Sequence, residues 1–186
     1  MRVALHACCG PCLLEPLDAL AAEHEVVVVY ANPNIHPVQE YERRRDTLLG
    51  WAHENGVEVV EVPYDPALWD AAVGAQTSDR GTRCAACFRL RLRLTAEVAA
   101  ERGLEAVATT LTVSPYQDHD ALARAGADVC ADAGLIYMDT DFRERYPEAT
   151  RRSRELGMYR QNYCGCRYSE AEAAAEREER RRRKGR

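Results

Sequence analysis

The sequence has no apolar run that could cross a membrane. Its longest run, Val26 to Tyr30, has about five residues, whereas a membrane-spanning helix needs about 20. The amino end shows no positively charged segment followed by an apolar stretch, so no secretory leader is predicted. We therefore expect a cytoplasmic protein with no membrane partner.

The chain also lacks the glycine-rich motifs that hold nucleotide phosphates. Neither GxGxxG nor GxxxxGK[ST] occurs. The turn that follows the first predicted strand carries cysteines, and Gly10 is its only glycine. Phosphate binding by that turn is therefore not predicted.

Excess positive charge is lacking overall, although basic residues form patches. The formal net charge is −5, so bulk attraction to nucleic acid is not expected. Residues 177–186 nevertheless carry seven basic and two acidic side chains. Such patches either follow a phosphate backbone or form solvated surface, and for this tail alone the solvated alternative is favoured. The internal arginines that we select as candidates for RNA binding are Arg43, Arg44, Arg151 and Arg152.

Short apolar segments alternate with helical patterns along the chain. The predicted strands are residues 2–7, 25–30, 57–62, 105–111 and 135–139. The predicted helices are residues 11–22, 38–55, 84–102 and 118–133. Strands that are apolar throughout and followed by helices indicate a parallel sheet flanked by helices on both faces. We therefore predict one Rossmann-like α/β domain over residues 1–186, with a basic helix or tail at about 170–186.

Unusual polar or cysteine-rich segments follow four of the predicted strands. They are HACCGPC at 6–12, NPNIHP at 32–37, TVSPYQ at 112–117, and residues 141–142. Ligands of parallel sheets bind outside the carboxyl ends of the strands. The sequence therefore predicts one site at this edge, with His36, Tyr116 and Asp141 near the first cysteines; Asp118 is favoured as a helix cap.

Seven of the eight cysteines fall in three groups. The groups are Cys8, Cys9 and Cys12; Cys84 and Cys87; and Cys164 and Cys166. In a cytoplasmic chain, grouped cysteines more often serve metal binding or catalysis than structural disulfides. The first two groups are predicted at helix N-termini, which stabilise the thiolate form. Cys130 stands alone and is expected to be a buried apolar residue.

Three chemistries fit these cysteines. Two CxxC-like pairs could hold a structural zinc ion, as in a zinc-stabilised RNA-binding module. The CGPC string is that of a thioredoxin-like disulfide oxidoreductase, but here it follows the first strand and leaves the other cysteines unexplained. Seven clustered thiols exceed the four that zinc needs, and this count favours an iron–sulfur cluster modestly over zinc.

Five segments of the chain form a distinctive series in this order: HACCGPC, NPNIHPVQEYERR, RCAACFRLRLRLTAE, TTLTVSPYQDH and DFRERYPEATRRSRELGMYRQNYCGCRYS. Through these segments the sequence resembles the cobalamin-independent epoxyqueuosine reductase family, from about residue 3 to residue 169. The resemblance implies a fold related to the ATP-pyrophosphatase (HUP) group. It also implies reduction of the epoxide of epoxyqueuosine to the alkene of queuosine, at the wobble position of tRNA.

The resemblance further implies a 4Fe-4S cluster and an additional mononuclear iron. Its pattern assigns the cluster to Cys8, Cys9, Cys84 and Cys87. We assign Cys12 to the extra iron, together with a carboxylate such as Asp141. The pair Cys164 and Cys166 is implied to be redox-active, closing to a disulfide and drawing on an unidentified electron donor. His36, Tyr116 and Asp141 are the candidate proton donors. Tyr30, Trp51, Tyr116, Tyr159 and Tyr163 are the candidates for base stacking.

Overall fold

A computed structural model of the chain describes residues 1–74 and 79–184. The strands are β1 (Arg2–His6), β2 (Glu25–Tyr30), β3 (Val59–Glu61), β4 (Ala106–Thr109) and β5 (Ile136–Tyr137). The described α-helices are α1 (Gly10–Ala21), α2 (Val38–Glu54), α3 (Pro66–Val73), α4 (Arg80–Glu101), α5 (His119–Ala133), α6 (Tyr146–Glu155) and α7 (Arg167–Lys184). The strands form one five-stranded sheet in the order β3-β2-β1-β4-β5, and every pairing is parallel. The predicted α/β class is confirmed.

Side chains that alternate along the strands fill two apolar layers, one on each face of the sheet. Ala4, Val27 and Val29 face the layer that contains α4 and α5. Val3 and Leu5 face the opposite layer, with residues of α1 and α2. Both faces are therefore covered, which explains why the strands are apolar at consecutive positions rather than at every second one.

The order of the strands reverses beside β1. The chain moves from β1 outward through β2 to β3, and then returns to place β4 on the other side of β1. In open α/β sheets, a crevice for ligands forms where the order reverses, outside the carboxyl ends of the strands. The segments after β1 and β4 meet there, because the Cys8 N–H donates to Thr110 Oγ1 at 3.3 Å.

The helices differ from the predicted ones in number and in one boundary that affects the site. Helices α3 and α6 were not predicted. Helix α4 begins at Arg80 rather than at residue 84, because the Asp79 carboxylate caps it by accepting from the Thr82 N–H at 2.7 Å. Cys84 therefore lies beyond the first four N–H groups, and the prediction that this pair occupies a helix N-terminus is wrong.

The C-terminal end of the chain forms a long polar helix. Helix α7 covers most of the basic segment that was predicted at about 170–186, while residues 185 and 186 lie outside the described part. None of the described helices combines the length and apolar character that a bilayer span requires.

Candidate metal centre and redox loop

A triad of cysteines marks the carboxyl end of β1. Cys9 is the N-cap of α1 and Cys12 lies in the first turn of that helix, while Cys8 precedes them. Their sulfur atoms all lie within 4.8 Å of one another. Within residues 1–74 and 79–184, no other group of three or more His, Cys, Asp or Glu side chains meets this spacing.

The triad has the geometry and donor set of a metal site. The Sγ atoms of Cys8 and Cys9 are 3.7 Å apart. Two thiolates that bind one tetrahedral ion at about 2.3 Å are separated by about 3.8 Å, so the measured spacing fits a shared ion. Gln161 donates from Nε2 to Cys9 Sγ at 2.9 Å and so fixes the direction of that sulfur.

The three thiols of the triad differ in acidity because they share protons. Hydrogen bonds from Cys12 and Cys9 hold the pKa of Cys8 well below its usual range. Burial raises the pKa of Cys9 to about 12, and the interaction with Cys8 raises that of Cys12. Because metals bind the thiolate form, a metal ion bound by this triad would displace the protons that the thiols carry.

The CxxC pair on α4 packs in the same apolar layer as the triad. Cys87 is buried, and Cys84 is partly buried against that layer. Burial raises the pKa of Cys84 to about 11 and that of Cys87 to about 12. Cys166 of the third cysteine group is buried in the same layer. Buried thiols of this kind ionise only when a cation pairs with them.

The third group, Cys164 and Cys166, lies on the loop before α7. All eight cysteines are free thiols in the structure, so this pair is present as the open dithiol. Cys166 Sγ accepts from the Ser169 N–H at 3.4 Å, and Gln117 Nε2 approaches Cys164 Sγ at 3.9 Å. Gly165 between them has φ +132°, and a Cβ atom there would lie 3.0 Å from Ile35 Cγ1. Only glycine fits this position of the loop.

An ion pair on α2 holds the CGC loop in place. Arg44 is buried, and it donates to the carbonyls of Cys164 at 2.9 Å and Tyr163 at 3.2 Å. Its Nε donates to Glu40 Oε1 at 2.7 Å, and the Tyr159 hydroxyl donates to the other oxygen of Glu40 at 2.7 Å. The prediction that Arg44 contacts RNA therefore does not fit the structure, because its guanidinium is enclosed by protein.

Replacing Arg44 by methionine is expected to destabilise the protein by about 3–5 kcal/mol, because the carboxylate of Glu40 would stay buried without its cation. Arg45→Met is the matched control on the same helix. Arg45 is 32% exposed, and losing its surface ion pairs should cost about 1 kcal/mol or less. Denaturant unfolding of the two variants measures the difference. Equal costs would show that Arg44 contributes no more than a surface residue.

The three predicted proton donors occupy different surroundings. His36 packs against the CGC loop, because its backbone N–H donates to the Gly165 carbonyl at 2.8 Å. Burial lowers the pKa of its imidazole ring. Tyr116 is 67% exposed and contacts the edge of Tyr146. The Asp141 carboxylate accepts from Arg143, which lowers its pKa to about 2. Asp141 is therefore ionised at neutral pH and is a poor proton donor in this arrangement. It also lies outside the close triad.

The predicted RNA-contacting arginines are only partly available. Arg43 is exposed and lies over the ring of Tyr159, 4.8 Å from its centroid. Arg151 pairs with Glu148 and Glu155, each at 2.5 Å. Arg152 binds Glu15 and Asp18, each at 2.6 Å, and thereby ties α6 to α1. Within the described residues, Arg43 is the candidate whose charge no carboxylate neutralises.

Three other sequence expectations concern single residues. Asp118 is the N-cap of α5 and accepts from the Ala121 N–H at 2.9 Å, as favoured. Cys130 is 1% exposed within the apolar layer, as expected of a buried apolar residue. Tyr30 is fully buried, so it cannot stack on a base.

Sequence reasoning missed the polar residues that surround the cysteines. Arg91 lies one turn after Cys87 on α4 and is 1% exposed. It donates from Nη2 to Asn32 Oδ1 at 2.6 Å, and Asn32 in turn donates to the Ala7 carbonyl at 2.8 Å. A charged residue at an apolar helix position, four residues after a cysteine, was the signal that could have identified Arg91.

A small cavity opens beside the triad. Its volume is about 70 Å³, and Cys12 forms part of its wall. The polar side chains that line it are Tyr146, Thr150, Ser153, Arg160 and Gln161. Because Tyr146 also contacts Tyr116, an exposed aromatic ring lies near the cavity.

Comparison with known proteins gives one consistent result. The profile of a protein family described as "Epoxyqueuosine reductase QueH" matches residues 3–172. A protein of that name from Dehalococcoides mccartyi is 36% identical over 174 residues, which cover 92% of this chain and 93% of the relative. A second, from Haemophilus influenzae, is 34% identical over 96% of this chain and 75% of the relative. A third, from Thermotoga maritima, is 33% identical over 90% of this chain and 89% of the relative.

Proposed function

Because the chain belongs to the epoxyqueuosine reductase QueH family, an oxidoreductase family, we propose that it reduces epoxyqueuosine to queuosine in tRNA. The observation that carries this proposal is the convergence of three cysteine groups at one sheet edge. Cys8, Cys9, Cys87 and Cys166 are buried in one apolar layer, and Cys12 and Cys84 pack against it. A tRNA substrate would place the activity in the cytoplasm.

The proposed reaction removes one oxygen atom and needs two electrons and two protons. Both carbon–oxygen bonds of the epoxide break, an alkene forms, and the oxygen leaves as water. Oxidation of the Cys164 and Cys166 thiols to a disulfide supplies two electrons and two protons, so atoms and electrons balance. An external electron donor, as yet unidentified, must then reduce the disulfide before the next turnover.

The cysteines of the first two groups fit the thiolate-bound metals that the family implies. We propose that Cys8, Cys9, Cys84 and Cys87 hold a 4Fe-4S cluster and that Cys12 contributes to an additional iron. When bound, these metals would supply a Lewis acid for the epoxide oxygen and a relay for single electrons. The short spacing in the triad and the burial of Cys87 support metal binding by this part of the chain.

We place the modified ring of the substrate at the cavity beside Cys12. A cavity of about 70 Å³ is smaller than the about 150 Å³ that encloses benzene, so only part of a five-membered ring would enter. The base would remain outside, where exposed Tyr116 offers a stacking surface. The wobble nucleotide must therefore be turned out of the anticodon stack, as enzymes that act on bases require.

The proposed activity is tested with metal-loaded protein purified without oxygen and tRNA that carries epoxyqueuosine. After digestion to nucleosides, mass spectrometry should show loss of one oxygen from the modified guanosine. One of the QueH relatives named above serves as the positive control. If this chain retains its metal but converts none of the tRNA that the relative converts, the proposed function is wrong.

Binding of tRNA is expected to depend on salt through Arg43. Each phosphate contact contributes about 0.7–0.9 to the slope of log affinity against log salt concentration. Arg43→Ala should therefore reduce the slope by about that amount. Arg151→Ala is the matched control, because two glutamates already neutralise Arg151. Filter binding at several salt concentrations measures both slopes, and an unchanged slope for Arg43→Ala would remove this arginine from the interface.

A further inference from the structure

One buried cation beside the cysteines has no anionic partner among the described residues. Arg91 is 1% exposed, and no carboxylate in the described part of the chain pairs with it. Its Nη2 donates to the neutral amide of Asn32, whereas its Nε and Nη1 have no hydrogen-bond partner there. Two N–H-bearing atoms of a fully buried guanidinium are thus unsatisfied.

A buried guanidinium without an anionic partner raises the free energy of the folded protein. Burying a charge removes it from water, and proteins compensate by pairing it or by coordinating it to a bound group. The other buried arginines follow this rule: Arg44 pairs with Glu40, and Arg83 pairs with Glu172. Arg91 has no such carboxylate partner among the described residues. A bound group that carries negative charge would therefore complete its surroundings.

The position of Arg91 shows where that negative charge would lie. Arg91 follows Cys87 by one helical turn, so both project from the same face of α4. Asn32 fixes the guanidinium from the segment after β2, and is itself held by the Ala7 carbonyl beside the triad.

Cysteines of all three groups lie on the side of the sheet that α4 covers. Cys8, Cys9, Cys87 and Cys166 are buried in the apolar layer that contains α4, and Cys12 and Cys84 pack against that layer. Arg91 therefore lies on the helix that borders the cysteines.

We infer that Arg91 is a positioning residue that supplies the buried positive counter-charge of the thiolate-bound metal centre. When the centre is bound, the unpaired Nε and Nη1 of Arg91 would offset the negative charge of its thiolates and inorganic sulfides and stabilise its more reduced, more negative state. This inference rests on the metal site of the proposed function, but it concerns the metal and not the tRNA.

The test compares Arg91→Gln and Arg91→Lys with Arg89→Gln in protein purified without oxygen. Arg89 lies on the same helix but is exposed and pairs with Asp128, so its variant is the matched control. Iron and sulfide per chain are measured first, followed by the reduction potential from a dye-equilibrated titration of the visible absorbance. Far-UV circular dichroism checks that each variant is folded.

Arg89→Gln should have the iron content, sulfide content and reduction potential of the wild type. Arg91→Lys should retain most of the iron. Arg91→Gln should lower the ratio of reduced to oxidised centre at a fixed potential at least tenfold. That ratio corresponds to about 59 mV for a one-electron step. A folded Arg91→Gln protein that loses more than half of its iron, while Arg91→Lys retains it, supports the inference equally.

Three results would overturn it. One is a folded Arg91→Gln protein with the iron content and potential of the wild type. Another is equal loss of iron in Arg91→Gln and Arg91→Lys, which would assign the effect to packing rather than charge. The third is loss of the fold in both variants. Should the wild type hold zinc instead of a cluster, the proposed redox chemistry fails, whereas Arg91 is still tested by the zinc that each variant retains.

Discussion

Replacing Cys87 by serine is expected to remove nearly all inorganic sulfide and at least about nine-tenths of the iron, because a cluster that loses a thiolate ligand is not retained. Cys12→Ser should instead keep the sulfide and lose only the additional iron. The two variants therefore separate the proposed cluster ligands from the proposed ligand of the second metal. Iron and sulfide analysis of protein purified without oxygen measures both.

The control for this pair is Cys130→Ser. Cys130 is as buried as Cys9 but stands apart from the three groups, so its variant should retain the full metal content. The opposite pattern is also informative. If Cys87→Ser keeps its metal while Cys8→Ser and Cys12→Ser both lose it, the triad holds a single ion, as its 3.7 Å spacing also permits.

The second large effect concerns the CGC loop. Cys164→Ser should lower steady turnover by about 10³-fold or more, the size of loss expected when one member of a catalytic unit is removed. Its iron and sulfide content should equal that of the wild type, because Cys164 is not a proposed metal ligand. Turnover is measured as queuosine formed in tRNA under a continuous supply of reductant.

A single-turnover measurement identifies the source of the electrons. Wild-type protein that is reduced with a thiol and then freed of reductant should form about one queuosine per chain, since the dithiol holds two electrons. Cys164→Ser should form none, and Cys130→Ser should behave as the wild type. Multiple turnover by Cys164→Ser at the wild-type rate would exclude the dithiol from the mechanism.

The sheet was predictable because its signal is local. Five apolar segments separated by helical patterns specify a parallel sheet, and the polar segments that follow them specify the functional edge. Family membership also argues against the thioredoxin alternative for CGPC. The raised pKa of Cys9 agrees, since a reactive thioredoxin-type cysteine has a lowered pKa.

The parts that were not predictable depend on contacts between distant segments. Arg44 reads as one of three consecutive arginines on a polar helix, and only the tertiary structure shows that it binds carbonyls about 120 residues later. Helix α6 has little apolar surface and is tied down by Glu15 of α1 through Arg152, which no local pattern indicates. The unpaired charge of Arg91 is likewise visible only when its neighbours are known.

The most direct test of the proposed metal centre is the amount of iron, acid-labile sulfide and zinc per chain in protein purified without oxygen from iron-supplied cells, together with its visible spectrum. A chain that holds a 4Fe-4S cluster and an additional iron should contain about four to five irons and about four sulfides, with broad absorbance that bleaches on reduction. One zinc per chain with no sulfide would contradict it. That result would return the cysteines to a zinc-stabilised RNA-binding role.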